Sequence, residues 1–277
     1  MTVETTTISL VGGIEVPLLV SAKMAKGFHH GFTTRAGGVS PAPFDSLNLG
    51  WKWGDEREHV DENHRRLLAV SGADSMFRAS QVHGIRIVRV RRGDDARAIA
   101  AAEADGLCSD APGVGLSVHV ADCTPIVMAC SRTGACAVLH AGWRGTVAGM
   151  ARAGVETLAA QFGCRPRDLH TALGPCIGAC CFEVGPEVVD AFIAAMPAAL
   201  ENGVVIRSEA RKPRIDLRLF QRLQLEASGV PPENIDVGTD CTFCDPGRRF
   251  YSFRKSGRRT GQLVGFVVRS GAATASP

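Results

Sequence analysis

Three side chains have the types needed to hold a metal ion or to run thiol chemistry. They are His83 in Gln81-Val82-His83-Gly84, Cys123 in Ala121-Asp122-Cys123-Thr124-Pro125, and His140 in Leu139-His140-Ala141-Gly142-Trp143-Arg144-Gly145. Each stands where an apolar run meets a turn, a place where a rigid element fixes geometry while the site stays open to solvent. Two imidazole nitrogens and one thiolate suit tetrahedral zinc with a fourth position left for water. Such an ion lowers the pKa of the water it binds towards roughly 7. The same atoms without metal offer a second chemistry, with Cys123 as a nucleophile activated by His140 or His83. The gaps of 40 and 17 residues are not a local metal signature, so either chemistry needs the fold to bring distant segments together. A third reading makes Cys123 a small buried hydrophobe and the two histidines satisfied core groups.

Other segments could serve that centre. Asp122 is a carboxylate in an apolar context, fit to orient a histidine, to act as a general base, or to anchor structure; strand alternation would point it away from Cys123. Thr33-Thr34-Arg35-Ala36-Gly37-Gly38-Val39-Ser40 joins a glycine turn to a guanidinium, which suits an anion but lacks the spacing of a phosphate-binding P-loop or a dinucleotide fingerprint. From Arg248 to Arg259, six basic residues alternate with Phe250, Tyr251 and Phe253, as a small-anion grip or a protected sheet edge would. Cys176, Cys180 and Cys181, together with the C-x-x-C pair Cys241 and Cys244, raise the alternatives of a four-cysteine structural zinc and of plain structural thiols.

Positioning these groups falls to many short elements. Strands are expected at Ile85–Val90, Gly115–Ala121, Pro125–Cys130, Ala135–His140 and Leu263–Val268. One helix is expected from Val147 to Phe162 and another after Asp216 as N-cap, with Leu219, Phe220, Leu223 and Ala227 on one face. A third is expected within Val184–Leu200, broken near Pro197. Strands and helices do not alternate, so the expected class is α+β, a layered sandwich of mixed β-sheets flanked by helices. Residues 1–269 are expected to form one domain, and the small polar residues 270–277 a flexible tail. The 277 residues, 45% hydrophobic and 21% charged, can bury a sizeable core. A net charge of +3 recruits neither nucleic acid nor anionic membrane. The longest apolar stretch is interrupted by His119 and Asp122, and the start lacks a signal-peptide pattern. Ten cysteines then imply reduced thiols and a cytoplasmic protein.

Taken together, the motifs resemble one family, the YfiH-like proteins, also called peptidoglycan editing factor or multicopper polyphenol oxidoreductase (laccase) proteins. The likeness runs from about Gly31 to Val267. It includes Phe32-Thr33-Thr34-Arg35-x-Gly37-Gly38-Val39-Ser40, Ser46-Leu47-Asn48-Leu49-Gly50, and the His83, Cys123 and His140 segments. It ends with Gly174-Pro175-Cys176-Ile177-Gly178-x-Cys180-Cys181-Phe182-Glu183-Val184 and Phe250-Tyr251-Ser252-x-Arg254. The resemblance implies a sandwich similar to the catalytic domain of cytotoxic necrotizing factor. It implies that His83, Cys123 and His140 are the metal-binding and catalytic set. It also implies purine nucleoside phosphorylase activity on adenosine, inosine, guanosine and methylthioadenosine with adenosine deaminase activity, or else copper-dependent phenol oxidation or removal of misincorporated serine from peptidoglycan precursors. The chain departs from the pattern at His119, in a usually apolar place, at Val120, where Thr is common, and at Lys255, where a second Arg is common.

Donor arithmetic ranks these activities. A multicopper oxidase needs about ten imidazoles by coordination logic. This chain has 8 His and no His-x-His pair. The zinc deaminase signature H-x-E with P-C-x-x-C is also missing, because Cys180 follows Pro175-Cys176 one residue too late. The expectation is therefore a zinc enzyme acting on a purine nucleoside and phosphate, with copper able to occupy the same site. Arg35, with Arg144 and Arg254, would position phosphate, and Gln81 and Asp122 complete the substrate-binding candidates. An amidase acting on a cell-wall precursor and a metal-stabilised binding module remain as alternatives, and the oligomeric state stays open.

Overall fold

A computed structural model of the chain describes residues 4–10, 14–208 and 211–271. Among the described residues the strands are β1 (Glu4–Leu10), β2 (Ile14–Val20), β3 (Phe28–Thr33), β4 (Ser75–Phe77), β5 (Ile87–Arg89), β6 (Gly106–Ser109), β7 (Val114–Val120), β8 (Thr124–Cys130), β9 (Cys136–Ala141), β10 (Leu169–Leu173), β11 (Val205–Ser208), β12 (Arg211–Ile215), β13 (Ile235–Val237) and β14 (Leu263–Arg269). The helices are α1 (Arg57–Ser71), α2 (Ala96–Ala101), α3 (Trp143–Val147), α4 (Met150–Phe162), α5 (Pro186–Ala195), α6 (Leu217–Ala227) and α7 (Phe253–Ser256).

Two six-stranded sheets carry the architecture, ordered β1-β2-β3-β14-β7-β4 and β13-β10-β8-β9-β6-β5. Both are mixed: β4 runs parallel to β7, β5 to β6 and β13 to β10, and the other pairs are antiparallel. β8 and β9 are buried at every residue, as strands covered on both faces must be. The parity of each strand shows what covers it. Val127 of β8 and Cys136 and Val138 of β9 pack with Phe32, Leu116, Val118 and Val267 of the facing sheet. Ile126, Met128, Leu139 and Ala141 turn the other way onto Met150, Val155 and Leu158 of α4 and Leu225 of α6. On the far side, Leu18, Val264 and Phe266 meet Leu67 and Val70 of α1. The layers are thus helix, sheet, sheet, helix, and the expected α+β class of mixed sheets flanked by helices is what the chain adopts.

Element boundaries moved in places. The helix expected from Val147 begins at Met150 as α4, because Gly149 adopts φ +92°, a left-handed conformation that separates it from α3, whose last residue is Val147. The strand expected at Ile85–Val90 shrinks to β5, since Arg86 instead uses its carbonyl to accept the amides of Asp105 and Gly106. Asp216 caps α6 as expected, accepting from the Leu219 amide at 3.0 Å. Residues 272–277 of the expected tail lie outside the described residues. No helix among the described residues is long and apolar enough to cross a membrane.

Candidate active site

The site forms where β8, β9 and β6 lie side by side at one end of the sandwich. Pro125 pairs with His140 and Gly106 with Leu139. One step along the second ladder, Asp105 stands opposite His140 and accepts its amide at 2.7 Å. Cys123 precedes β8 by one residue and shares the parity of Val127, so its thiol faces the inter-sheet side, as does the His140 ring. The ladder therefore sets three of the groups before any side-chain preference acts.

His83 arrives from the loop after β4 and is held by its backbone. The Asp105 carboxylate accepts the amides of Val82 (3.1 Å), His83 (2.9 Å) and Gly84 (2.7 Å), and also takes the His140 Nδ1 contact at 2.7 Å. Fully buried Asp105 is therefore the pivot that joins His83 to His140. It was absent from the sequence expectations; its only signal was a carboxylate in Ala104-Asp105-Gly106 directly before an apolar strand. Burial by itself would raise its pKa, but the His140 hydrogen bond and the Gly84 and Val82 amides bring it below the usual carboxylate value.

The ligand atoms of His83, Cys123 and His140 lie within 4.8 Å of one another. Asp105 occupies His140 Nδ1, which leaves Nε2 for the thiol side, the arrangement in which a carboxylate orients a metal-binding imidazole. Two imidazoles, one thiolate and an orienting carboxylate fit zinc. In the metal-free state, burial opposes ionisation of Cys123, but His140 and His83 overcome it and lower the thiol to about 6. Burial likewise opposes the charged form of His140, yet Cys123 and Asp105 raise it to about 9. Between those values the pair is thiolate and imidazolium. Alkylation of Cys123 in metal-free protein, followed by peptide mass mapping against pH, should have its half-point near pH 6 instead of the ordinary thiol range of about 8.5. In His140→Gln protein, burial is left with less opposition, so the half-point should move upward.

Close approach is built into the backbone. A Cβ on Gly142 would lie 2.9 Å from His83 Nδ1 and 3.0 Å from Cys123 Sγ. Its φ of −72° suits any residue, so only this crowding demands glycine. Gly142→Ala should leave thermal stability nearly unchanged and weaken zinc binding by roughly 10–100-fold, the range found when metal ligands lose their orientation; zinc titration against a chromophoric chelator checks it. Two non-glycine residues beside the site also hold left-handed conformations, His83 at φ +62° and Asp122 at φ +92°. Such geometry costs of order 1–3 kcal/mol each and persists only where the surroundings impose it.

Above the three side chains opens a cavity of about 480 Å³. Of the expected substrate contacts, Gln81, Asp122 and Arg254 line it. Gln81 is engaged through both amide atoms with the backbone of His119, each at 2.8 Å. Asp122 accepts from Thr242 Oγ1 and from the Arg254 amide, both at 2.6 Å, so it anchors the turn that presents Cys123. Arg254 lies at the surface with its guanidinium over Phe182. Arg35 and Arg144 are elsewhere: Arg35 pairs with Asp45 at 2.8 Å and lines a separate hollow, and Arg144 is exposed over Trp143. The wall also holds Trp51, Trp53 and Arg78, which the sequence did not single out, and Phe253 of the basic-aromatic segment. Trp51 stacks on His64 at 4.1 Å and carries the Arg78 guanidinium at 4.3 Å, while Trp53 and Phe253 present rings 5.5 Å apart. Burial lowers the pKa of His64, behind Trp51, to about 4 and that of the lining His119 well below the ordinary value, so both imidazoles are neutral. His119, the residue in a usually apolar place, has a buried Nε2 that meets no hydrogen-bond partner in good geometry among the described residues.

A family model described as multi-copper polyphenol oxidoreductase laccase matches residues 29–270. The chain is 36% identical over 247 residues to the purine nucleoside phosphorylase YlmD of Geobacillus stearothermophilus, covering 86% of this chain and 89% of that protein. A purine nucleoside phosphorylase of Pseudomonas aeruginosa is 41% identical over 236 residues, covering 85% of this chain and 90% of that protein. The crystal structure of YlmD from Geobacillus stearothermophilus superimposes with a TM-score of 0.85 at 34% identity, covering 96% of this chain and all of that one.

Proposed function

The chain belongs to the YfiH-like family, the one described as multi-copper polyphenol oxidoreductase laccase, and on that premise we propose that it is a zinc-dependent purine nucleoside phosphorylase. Adenosine, inosine, guanosine and methylthioadenosine are its substrates in this reading, with adenosine deamination as a second activity. The observation that carries it is the meeting of His83, Cys123 and His140 beneath an aromatic-walled cavity. The printed names of the relatives supply the substrate class.

His83, Cys123 and His140 would hold the zinc. When bound, the ion supplies a Lewis acid that polarises oxygen and makes water more acidic. The protein's own groups do the rest. Trp53 and Phe253 offer apolar rings to a purine. Lys52, Arg78 and Arg254 are the cations along the cavity, so phosphate is assigned to them instead of to Arg35 or Arg144. In phosphorolysis a phosphate oxygen bonds to the anomeric carbon, and the C–N bond electrons leave with the purine, which takes up a proton. Asp105 keeps the His140 ring oriented throughout.

The decisive assay supplies inosine with and without inorganic phosphate and identifies the sugar product. Ribose 1-phosphate formed only with phosphate supports the reading; free ribose or no turnover across the nucleoside panel contradicts it. Phenol oxidation by a multicopper centre is set aside, because neither candidate donor set among the described residues holds more than two histidines.

One observation favours a second reading. Cys123, His140 and Asp105 also stand in the order nucleophile, base and orienting carboxylate. In an amidase, the Cys123 sulfur would bond to an amide carbonyl carbon, His140 would return its proton to the departing amine, and water would release the acid. Product analysis with a serine-containing muramyl peptide precursor separates this from phosphorolysis.

A further inference from the structure

We propose that Cys180, Cys181, Cys241 and Cys244 form a second, structural metal site that takes a thiophilic divalent ion such as zinc. Their sulfurs all lie within 4.8 Å of one another, and Cys180 Sγ is 3.5 Å from Cys244 Sγ. Four sulfurs at the Zn–S distance of about 2.3 Å stand about 3.8 Å apart, so small side-chain adjustments close the tetrahedron. The set differs from the one the sequence suggested. Cys176 contributes its backbone instead of its thiol: its carbonyl accepts the Thr242 amide at 3.0 Å, which brings the C-x-x-C turn beside the Cys180-Cys181 turn. The Cys176 thiol itself turns to the Ile177 carbonyl.

Backbone donors surround the Cys241 sulfur. The Gly178 amide donates to Cys241 Sγ at 3.2 Å. Four thiolates around a divalent ion carry a net double negative charge, and three cations reach the carbonyls of these two turns from β12, α6 and α7. Arg214 donates to the Cys180 carbonyl, Arg218 to that of Asp240, and Lys255 to that of Phe243. Core packing does not account for the cluster, because Cys180 and Cys244 are exposed. An ion here would pin both turns that support the strained Asp122, whose carbonyl accepts the Ile177 amide at 2.9 Å and whose carboxylate accepts the Thr242 hydroxyl. The site positions the turn before Cys123 and does not touch substrate, and it stands whether or not the nucleoside reading holds.

The test uses reduced full-length Cys123→Ala protein, in which the first site is disabled, titrated with cobalt(II). The expected result is one tightly bound cobalt per chain with the intense thiolate charge-transfer and tetrahedral ligand-field bands of a four-sulfur site. Adding Cys181→Ser and Cys244→Ser should weaken binding at least a hundredfold and remove those bands. No cobalt binding, a spectrum of nitrogen and oxygen ligands, or unchanged binding in the serine variant overturns the proposal. Should the serine variant fail to fold, thiol labelling of the wild type decides. Cys180 and Cys244 should react with maleimide in metal-free protein and be protected by zinc, and equal labelling with and without zinc overturns it.

Discussion

Replacing Cys123 by alanine should lower inosine phosphorolysis by at least about a thousandfold while leaving the fold intact. The size of the loss follows from Cys123 being one member of a unit, since removing one member of such a set costs nearly as much as removing all. The thiol supplies the only anionic donor of the three and the partner that holds His140 in its charged form when metal is absent. Its packing role is small by comparison. Cys123 is half-buried against the inter-sheet core, so its truncation costs about 1 kcal/mol. Steady-state kinetics and a thermal melt on one preparation check both halves. A protein in which this centre only stabilised a binding surface would show the reverse, a large fall in melting temperature.

Asp105→Ala is the second large effect, and it acts on stability as well as on the site. The substitution strips the acceptor from the amides of Val82, His83 and Gly84 and from His140 Nδ1, all in a fully buried position. Removing one partner of a buried, hydrogen-bonded charge pair costs roughly 3–5 kcal/mol. For a chain of this length that is a fall in melting temperature on the order of 10 °C. Activity should fall further than stability, since His83 loses its tether and His140 its orientation. Asp105→Asn separates the two effects: one acceptor oxygen survives, so part of the stability returns, but the amide NH2 faces either His140 or the loop amides, and activity does not recover. The pH dependence has a defined sign. The folded Asp105 pKa lies below its ordinary value, so its contribution is present above the ordinary carboxylate range and is lost as pH falls through the lowered value. The wild-type and alanine melts should therefore converge in acid.

Some of this was legible in the residues. The apolar runs around Val118, Val127 and Val138 gave away the buried strands, because a strand covered on both faces has no polar alternation to hide it. His83, Cys123 and His140 were found because each interrupts or ends such a run with a donor atom. Their convergence was not readable, since β8 and β9 form a local hairpin but β9 pairs with β6 from a distant part of the chain, and His83 arrives from a loop more distant still. Asp105 was missed for the same reason: a single acidic residue before a strand looks like any turn residue until the ladder sets it opposite His140. The arginines show the opposite case. Arg35 and Arg144 sit in conspicuous glycine-containing motifs, but Arg35 is drawn to Asp45 and Tyr251 and Arg144 lies flat on Trp143. The cavity cations Arg78 and Lys52 lie outside those motifs. Cys176 shows how spacing can mark the right loop and the wrong atom, since a bridge to Cys241 uses its backbone and leaves Cys181 to face the other sulfurs.

In the proposed function, side chains far apart in the chain work as one catalytic unit. The most direct measurement is phosphate-dependent cleavage of inosine by Cys123→Ala, His140→Ala and the doubly substituted protein. A single unit predicts that each single substitution nearly abolishes kcat/KM and that the double one costs little more than either. Losses that multiply, or a single variant that keeps most of the wild-type rate, would contradict it.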